Sequence, residues 1–222
     1  VGHPLLDTVP LHLDKAAARG RLGIAGTRTV IGLLPGSRRE EVDTLLPPML
    51  EAATRLAGSD GKRTFVLGLA PTVTRSTIDG FLTRAPAAPS VNVVEGLTHE
   101  VMAAADVLLI ASGTATLEAA LLGTPMVVCY RVSRLTEMVA RLLKQIPWIS
   151  LPNIVARRTV VPEILQAEVT GTRLAAEAER LLEDGPLATA QRASFKELRE
   201  RLGEPGVGER AARVILKVAG AA

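Results

Sequence analysis

At 222 residues the chain is long enough for one large domain or one and a half, and its 47% hydrophobic content supplies a real core. Aromatics are only 2%, so Leu, Val, Ile and Ala must build that core. The net charge of +3 and pI of about 9.4, mostly from arginine, admit phosphorylated substrates, nucleic acid or an anionic membrane surface. Five aromatics and no zinc-finger or RNA-motif signature argue against nucleic acid.

No apolar run approaches the roughly 18–20 residues of a membrane span. The single cysteine, Cys129, allows no internal disulfide and fits a reducing compartment, the cytoplasm. The opening Val1-Gly2-His3-Pro4 carries no secretory signal pattern and reads as the interior of a longer chain.

From residue 29 onward, short aliphatic runs alternate with helical stretches. Thr29–Leu34 predicts a strand, Glu40–Ala57 an amphipathic helix, Thr64–Leu69 a strand and Arg75–Leu82 a helix. Arg84–Ser90 is a Pro-rich loop; Val91–Val94 predicts a third strand and His99–Ala104 a short helix. Val107–Ala111, Ala115–Leu122 and Met126–Tyr130 continue as strand, helix, strand. Arg131–Trp148 sets Leu135, Met138, Val139, Leu142, Leu143 and Ile146 at helical spacing among basic residues, a face for the sheet or for an anionic membrane. After Pro152 the strands run out, and Val161–Gln166, Gly171–Glu183, Leu187–Leu202 and Glu209–Ala219 read as helices. Strands apolar on both faces and alternating with helices predict an α/β, Rossmann-like, mostly parallel sheet with helices on both faces. The expected division is 1–168 for that domain and 169–222 for a helical C-terminal tail packing on it.

Two strand exits carry chemistry. At Leu33-Leu34-Pro35-Gly36-Ser37-Arg38, Gly36 lets backbone approach a ligand, while Ser37 and the free N–H groups of the next helix suit an anion. Arg38 adds a guanidinium fork for phosphate oxygens. Ser112-Gly113-Thr114 offers hydroxyls, open backbone and a helix start in the same position after another strand. Glu118, one turn later, is placed to accept hydrogen bonds from a ribose diol. Asn153, in Ile149-Ser150-Leu151-Pro152-Asn153-Ile154, presents an amide on a loop. At both exits an ordinary capped turn is the simpler alternative. No Walker loop, GxGxxG, Asp-x-Asp pair, Gly-x-Ser-x-Gly elbow or His/Cys cluster is present, so no metal or cofactor is expected.

Six segments in order, GHPLLD (2–7), LLPGSRREEV (33–42), ASGTATLEAAL (111–121), PMVVCYR (125–131), SLPNI (150–154) and VPEILQ (161–166), resemble lipid-A-disaccharide synthases of glycosyltransferase family 19. The resemblance implies half of a GT-B fold, the C-terminal donor-binding portion, with the N-terminal acceptor domain and its general base missing. It implies a metal-independent, inverting transfer from UDP-2,3-diacylglucosamine to 2,3-diacylglucosamine 1-phosphate, giving lipid A disaccharide 1-phosphate and UDP. By motif, Gly36, Ser37 and Arg38 would face the donor diphosphate, with Arg38 also catalytic through charge stabilisation. Ser112, Gly113 and Thr114 would hold phosphate oxygens, Glu118 the ribose and Asn153 the donor region. Expected partners are a UDP-sugar donor and a lipid acceptor, with a homodimer and the anionic inner-membrane surface as possible further ones. Arg157-Arg158 departs from the pattern, standing where a small residue such as glycine is usual. Another GT-B enzyme, such as a UDP-N-acetylglucosamine epimerase, and a non-catalytic nucleotide-binding module are the alternatives.

Overall fold

The computed structural model describes residues 1–26, 28–58, 61–131, 147–183 and 185–220. Six strands, β1 (Thr29–Leu34), β2 (Arg63–Leu69), β3 (Val91–Glu95), β4 (Val107–Ala111), β5 (Met126–Tyr130) and β6 (Glu163–Leu165), form one sheet in the order β3-β2-β1-β4-β5-β6. Every pairing is parallel. The helices, in chain order, are α1 (Leu5–Thr8), α2 (Lys15–Arg21), α3 (Arg39–Leu56), α4 (Arg75–Arg84), α5 (Thr98–Ala104), α6 (Thr114–Leu121), α7 (Leu151–Ala156), α8 (Gly171–Glu183), α9 (Gly185–Leu202) and α10 (Val207–Val218).

Side chains alternate across the pleat, so the apolar strands feed two cores. Ile31, Leu33, Phe65, Leu67, Val107 and Leu109 face α3, Ile78 of α4, and Leu174 and Ala178 of α8. Val30, Leu34, Val66, Leu108 and Ile110 face α5, α6, and Phe195 and Leu198 of α9. The helices after residue 169 therefore complete both faces of the sheet. On the second face, Gly32 and Gly68 are empty places that seat a neighbour. A Cβ on Gly32 would stand 2.4 Å from Leu108 and 3.5 Å from Val101, and one on Gly68 2.6 Å from Leu34. These gaps let α5 lie close to the sheet, which fixes where its first turn points.

One element differs from expectation. Val161–Gln166, read as a helix, instead supplies β6 followed by a 3-10 turn at Gln166–Glu168. Val128, Cys129 and Tyr130 pair with Glu163, Ile164 and Leu165, and the open edge of β5 wins over weak local preference. The basic amphipathic reading over Arg131–Trp148 falls largely on residues 132–146, outside the described residues. Among the described residues no helix is long and apolar enough to cross a membrane.

The topology places the site. The chain lays β1, β2 and β3 outward in one direction, then crosses back to put β4 on the other side of β1. Such a reversal opens a crevice between the carboxyl ends of the two strands that flank it. At the opposite ends Asp106 pins the same pair, accepting from the Val30 amide at 2.7 Å, from Arg19 at 2.7 Å and from Lys15.

Candidate functional site

The register of β1 on β4 runs from Ile31↔Val107 to Leu34↔Ile110, so the Gly36 turn and the Gly113 turn leave adjacent strands side by side. Both lead directly into helices, α3 and α6, whose amino ends open on the crevice.

The two helix starts are in different states. At α3, the Glu41 carboxylate accepts from the Ser37 amide at 2.9 Å, the Arg38 amide at 3.2 Å and the Arg38 guanidinium at 2.9 Å. Arg38 is the N-cap and Glu41 the third helical residue, so Glu41 supplies the reach-back half of a capping box, while the guanidinium, which has no acceptor, cannot supply the other. Gly36 has φ +115, and a Cβ there would fall 2.3 Å from Glu41 Oε2. In this conformation the glycine makes room for Glu41, where the sequence suggested room for a ligand. The Arg38 side chain remains 80% exposed despite its ion pair.

At α6, among the described residues, no side chain caps the helix start. Gly113 is the N-cap, with extended backbone and open space where a Cβ would stand. The amides of Gly113, Thr114 and Ala115 have no acceptor among the described residues, whereas Thr116 returns its amide and hydroxyl to the Gly113 carbonyl at 3.1 and 2.7 Å. Ser112 is held in place by its amide on the Cys129 carbonyl at 3.0 Å and its hydroxyl on the Ile149 carbonyl at 3.3 Å. Three donors at a helix start, without an acceptor among the described residues, have the chemistry that suits an anion.

Glu118, on the next turn of α6, lies beside these donors with its side chain 22% exposed. Its Oε2 meets His99 Nε2 at 3.1 Å. Sequence reading noted His99 only as an isolated histidine; the crossover from β3 carries it to Glu118. Asn153 sits elsewhere in the hydrogen-bond economy. It lies inside α7, not on a loop, and is fully buried. Its Oδ1 accepts from the Val160 and Val161 amides at 2.6 and 2.9 Å, and its Nδ2 donates to the Val161 carbonyl and to Glu163 at 2.9 and 2.8 Å. Glu163 also accepts from the Ile149 and Ser150 amides and the Ser150 hydroxyl. The Asn153 side chain thus has no hydrogen-bonding capacity left to offer a ligand, and with Glu163 it shapes the loop whose Ile149 carbonyl holds Ser112. Glu41 was not singled out from sequence, although it stands three residues after Arg38, as the acid of a capping box does; Glu163 reads in the sequence only as a cap or solvated carboxylate at a helix start, whereas it lies in β6 and ties Asn153, Ile149 and Ser150 together.

Two surface clefts, of about 570 Å³ beside Arg63 and Glu179 and about 630 Å³ beside Pro47, Phe81 and Pro86, contain none of these residues.

Comparison with known proteins gives this site a context. The family described as lipid-A-disaccharide synthetase matches residues 1–218. Lipid-A-disaccharide synthase of Anaeromyxobacter dehalogenans is 44% identical over 218 residues, covering 98% of this chain and 56% of the relative. That of Pseudomonas aeruginosa is 42% identical over the same shares. The chain therefore spans about half the length of the curated relatives it matches. Among solved structures, a UDP co-structure of S. aureus MnaA superposes with TM-score 0.67 at 14% identity, covering all of this chain and 54% of the other. WaaG, a glycosyltransferase involved in lipopolysaccharide biosynthesis, gives 0.62 at 18% identity, with 96% and 54% covered. At these identities the structures share the fold, half of a GT-B arrangement.

Proposed function

The chain belongs to the lipid-A-disaccharide synthetase family of glycosyltransferases, and from that premise we propose that it forms the donor-binding half of such an enzyme. The donor is UDP-2,3-diacylglucosamine and the acceptor 2,3-diacylglucosamine 1-phosphate, with lipid A disaccharide 1-phosphate and UDP as products. The bond from the sugar's anomeric carbon to the diphosphate breaks while an acceptor hydroxyl bonds to that carbon from the opposite face. The acceptor site and the base that takes the hydroxyl proton lie in a further domain outside this chain, which works at the cytoplasmic face of the inner membrane.

The departing UDP accumulates negative charge, and fixed donors aimed at it lower the barrier. The open amides of Gly113, Thr114 and Ala115 supply such donors, with Ser112 orienting the turn. Arg38 reaches the same crevice from β1 and adds a full positive charge, exchanging Glu41 for phosphate oxygens. Glu118 faces the ribose.

The observation that carries this reading is the Leu34↔Ile110 register, which sets two anion-suited turns together where the strand order reverses. Calorimetric titration with UDP tests it. The chain binds UDP, and Arg38→Ala and Glu118→Ala each weaken binding by roughly 1.5–3 kcal/mol without unfolding. Unchanged affinity in both variants overturns the assigned site. Purified chain alone forms no disaccharide; detectable turnover would place the missing base within these residues.

A further inference from the structure

Glu118 is a carboxylate with one oxygen engaged and one not. His99 Nε2 meets Oε2 at 3.1 Å, and Oε1 has no donor among the described residues. Its neighbours along α6, Leu117, Ala119 and Ala120, are buried apolar residues that offer no competing contact. A glutamate side chain without a partner samples several rotamers, and ordering it on ligand binding consumes affinity. An imidazole that donates from Nε2 holds the carboxylate in one orientation, in either the neutral Nε2–H tautomer or the imidazolium. The holder is itself fixed. His99 lies in the first turn of α5, and Val101 of that helix packs over the gaps left by Gly32 and Gly68.

We propose that His99 is the positioning residue for the nucleoside part of the donor. By occupying Oε2 it presents Oε1 of Glu118 to the ribose diol of a nucleoside diphosphate seated on the α6 amides. This rests on the nucleotide-site reading above and adds a residue that touches the ligand only through Glu118. Because the effect acts through the ribose, it distinguishes a ribonucleotide from its deoxy counterpart, which a purely structural role in packing α5 on α6 does not.

The test titrates the 222-residue chain and its variants with UDP and with 2′-deoxy-UDP by calorimetry, with thermal unfolding of each variant alongside. The unaltered chain prefers UDP. His99→Ala lowers UDP affinity about five-fold, the loss of one hydrogen bond's ordering effect, and lowers the affinity of 2′-deoxy-UDP, which keeps only the 3′-hydroxyl, by less than two-fold. His99→Gln, whose side-chain amide can still donate to Oε2, recovers part of the loss. Equal weakening of both nucleotides by His99→Ala, or no weakening while Glu118→Gln abolishes the preference for UDP, overturns the role of His99 and leaves the site standing. If the unaltered chain binds neither nucleotide, or Glu118→Gln leaves the preference intact, the site reading fails and this proposal fails with it.

Discussion

The Glu41 carboxylate sits 2.9 Å from the Ser37 amide and fills, from within the chain, the place proposed above for a diphosphate oxygen at the start of α3. Two anions cannot share these donors, so the carboxylate must move when a phosphate takes the position. Glu41→Gln keeps the size and the capping geometry but removes the charge. It is expected to raise UDP affinity roughly three- to ten-fold by calorimetry, since the displaced group no longer repels the ligand. Glu41→Ala is expected to lower unfolding stability by about 1 kcal/mol through loss of the cap. Weaker UDP binding in Glu41→Gln would make the carboxylate a scaffold for the turn instead of a competitor.

Asn153 makes four internal hydrogen bonds and is fully buried, so its contribution belongs to stability. Asn153→Ala strands the Val160 and Val161 amides and takes one donor from Glu163. Urea unfolding should show a loss of about 2–4 kcal/mol, with UDP affinity of the folded protein changed less than two-fold. Lost affinity at unchanged stability would return Asn153 to the donor site, where the motif alone had put it.

What could be read from the sequence, and what could not, follows the range of the interactions. The five long strands were legible because burial on both faces leaves a continuous apolar run, as in Val107–Ala111. The two glycine turns were legible because each follows such a run. β6 was not, because Glu163–Leu165 is three residues long and is a strand only by virtue of pairing with β5. The filling of one helix start and the openness of the other depend on where the Glu41 side chain turns, which no spacing rule decides. His99 and Glu118 lie on different helices of one face, brought together by the crossover that creates the crevice. Local chemistry was visible in the residues; partnerships between separate elements needed the fold.

Arg157 ends α7 with φ 54 and ψ 31, the left-handed region, at the position where the family resemblance led one to expect glycine. A side chain in that region costs about 1–2 kcal/mol against glycine, partly offset by the freer unfolded glycine chain. The Arg157 side chain is exposed and has no partner among the described residues. Arg157→Gly is therefore expected to stabilise the protein by about 1 kcal/mol in urea unfolding, and Arg157→Val to destabilise it. Loss of stability in the glycine variant would mean that the arginine holds a contact the backbone conformation hides.

Cys129 lies on β5, between β4 and the edge strand β6, fully buried, with its thiol donating to the Ile110 carbonyl at 3.4 Å. Burial pushes the thiol from 9.0 up to about 12, because a thiolate there would lose its hydration. The folded thiol stays protonated while the unfolded one ionises from about 9.0 upward, so the unfolded state releases its proton first. Below that pH the group adds no pH dependence; above it, stability falls as pH rises toward about 12. Urea unfolding across this alkaline range should show a steeper decline for the natural chain than for Cys129→Ala. The same burial predicts that a thiol reagent labels Cys129 only as fast as the sheet opens. Prompt labelling of the folded chain would show that the β4–β5 region opens far more readily than its packing implies.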